Sequence, residues 1–115
     1  MPRLRLVSIA CKDEQDWLGS DEPFLTVGGK LVWQAKDVDA GESLCLEGLP
    51  EVPFFAHTQV VLYESDHELV ENEDLAKHDK IGEWTVHEQL VGRGEQTLDF
   101  VGNGAHYTLK FLIFP

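Results

Sequence analysis

Long apolar runs are missing from this sequence. No stretch approaches the roughly 18 residues that cross a bilayer as a helix. The opening Met1-Pro2-Arg3-Leu4-Arg5 alternates charge with hydrophobe where a signal peptide carries an uninterrupted apolar segment. Neither a transmembrane helix nor a secretion signal is predicted. Basic residues are also scarce: 9 Lys+Arg stand against 21 Asp+Glu, for a formal charge of −12. Nucleic acid is excluded as a partner, because its binding is driven by Lys and Arg displacing counterions from phosphate. Anionic membranes are disfavoured for the same reason unless a cation stands between the two surfaces. The two cysteines, Cys11 and Cys45, sit in apolar alternating runs with no CxxC and no histidine at ligand spacing. Buried, reduced, inert thiols in a cytoplasmic setting are expected, a disulfide in an exported protein being the alternative. A catalytic constellation is lacking too. Ser20 has no G-x-S-x-G elbow around it, Cys11 is mid-strand, and the crowded carboxylates have no evident proton donor beside them. The chain reads as a non-enzyme.

What is present is enough apolar sequence for one core: 43% hydrophobic residues in 115, in a single domain spanning 1–115. Period-two alternation dominates. The first run, from Leu4 to Cys11, is apolar on both registers and reads as a strand buried at least partly on both faces. Phe24-Leu25-Thr26-Val27, Gly28-Gly29 and Lys30-Leu31-Val32-Trp33 form a hairpin signal, since paired glycines supply the positive φ angles of a two-residue turn. Further alternating runs at 42–46, 58–63, 80–86, 96–101 and 106–114 are bounded by Gly, Pro, Asp or Asn. No helical pattern exceeds a possible turn at 72–78. The prediction is all-β: an antiparallel β-sandwich of about eight strands. Trp33, Trp84, Phe54, Phe55 and Phe111 are assigned to the core by default.

The acids are unevenly spread. Residues 13–22 and 64–79 hold twelve of the 21, and both segments are loops on the strand reading. Carboxylates brought together at about 4 Å repel by roughly 1 kcal/mol in water and about 4 kcal/mol at a partly buried site. A hard divalent cation relieves that repulsion, and calcium, with six to eight oxygen ligands in flexible geometry, suits it better than magnesium. A solvated acidic surface explains the same composition and stays open. An EF-hand is excluded, because 66–71 lacks its alternating ligands and its glycine.

The order of residues adds to this. Asp16-Trp17-Leu18-Gly19-Ser20-Asp21-Glu22-Pro23-Phe24 resembles the first calcium loop of the C-two (C2) domain, the lipid-binding β-sandwich of synaptotagmins and protein kinase C, which typically reads D-x-x-G-x-S-D-P-Y/F. Val60-Val61-Leu62-Tyr63-Glu64-Ser65-Asp66 resembles that family's strand ending in D-x-D, and Asp79-Lys80-Ile81-Gly82 its closing D-x-L/I/M-G. The resemblance covers essentially the whole chain. It implies a calcium cofactor held by Asp16, Asp21, Glu64, Asp66 and Asp79, with the carbonyls of Trp17 and Ser65 as lesser ligands. It also implies apolar tips at Trp17, Leu18, Leu69 and Val70 for a membrane or another partner, a buried cap being the alternative. The departures are specific. Asp16 and Asp21 lie one residue closer than the usual pair, which brings in Asp13 as an alternative outer ligand. Glu22 intrudes before Pro23, and Glu64 replaces an Asp. The stretch from Asp66 to Asp79 is about twice the family's length and offers Glu71, Asp74 or the carbonyl of Asn72 as further ligands, or a partner surface of its own. The family's basic strand patch is absent, with only Lys30 and Lys36 nearby. His67 and His78 receive no metal role, since a hard cation prefers oxygen. The functional expectation is a calcium-binding module for binding or targeting, with lipid, glycan or protein as the further partner. The alternative is a calcium-independent protein-interaction or carbohydrate-binding sandwich. Trp33 and Trp84 exposed on one face would favour the glycan reading.

Overall fold

In the computed structural model, which describes residues 1–13, 22–65, 69 and 72–115, the alternating runs become nine strands. They are β1 (Arg3–Asp13), β2 (Pro23–Val27), β3 (Lys30–Gln34), β4 (Ser43–Cys45), β5 (Val52–Pro53), β6 (His57–Glu64), β7 (Asp79–His87), β8 (Gln96–Gly102) and β9 (Ala105–Phe114). All pairings are antiparallel, in two sheets. One has the order β4-β1-β9-β8, with β5 also on β1; the other runs β3-β2-β6-β7. The strand beyond the expected eight is β5, a two-residue bridge in a Pro-rich stretch.

Alternation sets the core directly in β9, where Ala105, Tyr107, Leu109, Phe111 and Ile113 are buried and the residues between them are less so. Complete burial of each such large side chain contributes about 1.5–3 kcal/mol. In β1 the buried residues are Leu4, Leu6, Ile9 and Cys11, and the pairing with β9 shifts register between Leu6 and Ser8. The two-faced burial expected of this strand is therefore a β-bulge: one extra residue switches which parity faces the core. Gly28 and Gly29 form the hairpin turn with φ of 62° and 83°, closing β2 onto β3 through the Val27–Lys30 pair. Asn103-Gly104 does the same for β8 and β9, with φ of 51° and 80°.

The two sheets meet along the β7 and β8 edges, where backbone approaches backbone. A Cβ on Gly102 would stand 2.3 Å from the carbonyl oxygen of Ile81, so only glycine fits. Beside it, the Asn103 side chain donates to the Lys80 carbonyl at 2.9 Å. The β8–β9 turn is thereby clipped to the start of β7.

Three assignments are corrected. Phe55 is 79% exposed and Trp84 45% exposed. Phe55 follows buried Phe54 into a turn whose Ala56 adopts a left-handed φ of 64°, which turns the ring outward. Trp84 lies on the edge strand β7, and its indole N–H reaches across to β8, donating to the Asp99 carbonyl at 2.7 Å. Cys45 is a free, exposed thiol on the short strand β4, while Cys11 is free and buried. A three-residue strand at a sheet edge is not covered on both sides, whatever its flanking leucines.

Candidate acidic end

Strand β6 carries Thr58, Val60 and Leu62 toward the space between the sheets, and Glu64 is the next residue in that series. It arrives at the end of the sandwich with 6% exposure. Two neighbours flank it in the sheet, Pro23 on β2 and Asp79 on β7. Asp79 in turn stands two residues before Ile81, a core residue. The stem of the first acidic segment closes on the same point. The Ser65 amide donates to the Glu22 carbonyl at 3.0 Å, and the Glu22 amide donates to Glu64 Oε1 at 3.3 Å. Both acidic segments thus leave the sandwich side by side.

The other candidate residues are distributed as follows. Asp13 ends β1 in the opposite sheet, exposed, across from His106 and beyond a second register shift. Asp74 caps the 3-10 turn at Leu75–Lys77, its Oδ1 accepting from the Ala76 amide at 3.1 Å. Leu69 is half-buried against apolar residues of the sheet's outer face. Asp16, Asp21, Asp66, Trp17, Leu18 and Val70 lie outside the described residues. Glu64 and Asp79 are brought together as cross-strand partners. Among the described residues, no three acidic, histidine or cysteine side chains come close enough to hold an ion. The described donors are oxygens of the hard class that calcium takes. They are one buried carboxylate with a second, exposed one beside it in the ladder.

Charge near the strand ends is partly engaged elsewhere. Lys80, next to Asp79, bonds Glu83 at 2.7 Å. The hydrogen bond that Lys80 donates to Glu83, followed by the negative charge of Glu83, holds the Lys80 ammonium above the usual lysine pKa. On the neighbouring sheet Asp99 accepts from Thr108 Oγ1 at 2.8 Å and pairs with His106 at 3.2 Å. Thr108 first, then His106, hold its carboxyl below the usual aspartate range.

What the sequence did not reveal is a cover on the outer face of β2 and β6. Phe24, Val61 and Tyr63 point away from the main core yet are buried, with Leu69 and Leu75 packed on them. The Phe24 and Tyr63 rings stack at 4.9 Å, and His78 stands edge-on to Phe24 at 5.2 Å while pairing with Glu73. The segment around 72–78 is therefore a lid of the fold's own, anchored by His78 and Leu75. A signal for it existed: Phe24, Val61 and Tyr63 are the outward parity of strands whose inward parity is also apolar. Between the stems at Glu22 and Ser65 and the residues at the end of β3 lies a pocket of ≈ 20 Å³, bounded also by Phe24, Ala35 and Leu69, with room for about one water. Trp33 and Trp84 form no shared platform. Trp33 is half-buried against the main core on β3 and Trp84 is exposed on β7, the opposite edges of one sheet. No helix among the described residues is long and apolar enough to cross a membrane.

Comparison with known proteins agrees with this architecture. No family model matches the sequence, and no curated protein matches it. Among solved structures the chain is similar to a C2 domain at 10% identity with a TM-score of 0.55, over 99% of this chain and 97% of that one. It is also similar to a part of human GIVD cytosolic phospholipase A2, solved in complex with the inhibitor methyl gamma-linolenyl fluorophosphonate and terbium chloride. That match has 11% identity and a TM-score of 0.51, over 98% of this chain and 17% of that one. At such identities the likeness is one of fold: the chain is a divergent C2-like antiparallel β-sandwich.

Proposed function

We propose that this protein is a non-catalytic binding module that holds calcium at its acidic end. The observation that carries the reading is Glu64: a carboxylate in inward register, 6% exposed, with Asp79 beside it in the ladder and the stems of both acidic segments converging on it. A buried carboxylate is unfavourable unless it is hydrogen-bonded or meets a cation. The Glu22 amide donates to Glu64 Oε1 at 3.3 Å. Glu64 and Asp79 supply the described part of the coordination shell. Asp16, Asp21 and Asp66 complete it, Asp13 being the alternative in the outer position. The phospholipase of similar fold was solved with terbium chloride, and a lanthanide is a hard cation with calcium's preference for oxygen. Bound calcium offsets local negative charge and prepares the acidic end to meet a partner. With a net charge of −12 and few basic residues, anionic lipid attracts this domain only through that ion.

Isothermal titration of metal-free protein tests the reading. The expected outcome is saturable heat on adding calcium, with magnesium binding more weakly because it gives up its waters reluctantly. Absence of calcium heat would favour a second reading, supported by the Glu22 amide on Glu64 Oε1, in which Glu64 is a structural tie between the two acidic segments.

A further inference from the structure

The other end of the same two strands carries a different set of ligands. His57 opens β6 and His87 closes β7, and the two are direct cross-strand partners. Directly opposed residues in an antiparallel pair hold their Cβ atoms about 4.5–5.5 Å apart. Here the ring centroids are 6.0 Å apart with the planes at 43°. Both side chains are exposed. The reason lies in the topology. β2 pairs with β6 only as far as Val27 opposite Val60, and the adjoining turn adds one bond from the Gly28 amide to the Gln59 carbonyl. His57 thus overhangs the end of its neighbour. The next pair on the same face, Gln59 and Thr85, is satisfied internally by a 2.9 Å hydrogen bond. Below the histidines the ladder is closed by the His57 amide on the Phe55 carbonyl at 2.7 Å and the Glu88 amide on the Ala56 carbonyl at 2.9 Å. The two backbones are fixed, and only side-chain rotation separates the rings from a chelating arrangement.

We infer that His57 and His87 form a binding site for a divalent transition cation of the zinc, copper or nickel class. Imidazole nitrogen suits these metals, while calcium and magnesium prefer oxygen. Zinc–nitrogen bonds of about 2.0–2.1 Å bring two rings on one ion somewhat closer than they stand here, a change that rotation about the side-chain bonds supplies without moving the strands. Two protein ligands leave coordination positions open to water or to a donor from a partner. The site is independent of the calcium reading. It lies seven residues along β6 from Glu64, about 23 Å at the ordinary rise of a strand.

The test is a zinc titration of the full chain in excess calcium, followed by nitrogen-15 NMR of the histidine side chains and by melting temperature. The expected result is one zinc per chain, coincident shifts of the His57 and His87 ring nitrogens, and a zinc-induced rise in melting temperature. His57→Ala and His87→Ala should each weaken binding by at least the roughly 10- to 100-fold that loss of an outer-shell partner already costs. Both side chains are exposed, so their melting points in chelator should match wild type, and His106→Ala should bind zinc as wild type does. Zinc binding that survives His57→Ala unchanged, or ring shifts confined to other histidines, would overturn the proposal.

Discussion

Strand β6 begins at His57 and finishes at Glu64, and its two ends invite opposite chemistry although the strand between them is continuous. At the Glu64 end the outer-face rings of Phe24 and Tyr63 are roofed by Leu75 and His78, and the carboxylate is turned into the sandwich. At the His57 end the neighbouring strand stops short and the imidazoles stand in solvent. Carboxylate oxygens, one of them buried, in one place and exposed imidazole nitrogens in the other suit different metals for reasons of ligand hardness alone. The difference teaches that strand length, as much as residue type, decides which side chains are available. The 72–78 segment covers one end, and the early stop of β2 uncovers the other.

Removing the ring on which the roof rests should have the largest effect. Phe24→Ala takes away a fully buried ring that stacks on Tyr63 and supports His78. A cost of about 3–5 kcal/mol in urea unfolding is expected. A loss below 1 kcal/mol would mean that the roof contributes little and that the two ends are alike.

That roof marks the limit of what could be read from the sequence. The alternation of 105–114 and the paired glycines at 28 and 29 announced their strands because period and turn chemistry are local properties. The neighbourhood of Glu64 and Asp79 followed from the order of the acidic motifs. Val61 and Tyr63 were legible only as apolar residues on a strand, since an outward residue covered by a distant segment looks the same in sequence as one facing the core. The bulge in β1 hid in the same way, because the residues around it are apolar on both registers. The capping role of Asp74 depended on a turn too short to leave a periodic signal. The exposure of Cys45, Phe55 and Trp84 followed from edges and turns that alternation does not locate.

A smaller effect separates the acidic end from the acids of the neighbouring sheet. Asp99 titrates below the usual aspartate range because Thr108 and His106 hydrogen-bond its charged form. A depressed folded-state pKa stabilises the fold above the unfolded-state value, and that contribution disappears as pH falls through the folded-state value. Thr108→Val should move the Asp99 carboxyl resonance toward the ordinary titration range in an NMR pH series, leaving calcium binding unchanged. An unshifted Asp99 titration would show that Thr108 does not set it.

The most direct measurement is the melting temperature of Glu64→Gln beside wild type, each in chelator and in millimolar calcium, with sodium chloride matched for ionic strength. Calcium at about 100 times its Kd stabilises a folded-state site by roughly 2.7 kcal/mol, a rise of the order of 10 °C for a domain of this size. The account predicts that rise for wild type in calcium and not in sodium chloride. For Glu64→Gln it predicts an equal or higher melting point in chelator, because a buried negative charge has been removed, together with loss of most of the calcium-induced rise. Equal shifts with calcium and sodium chloride, or a calcium response that Glu64→Gln leaves intact, would contradict it.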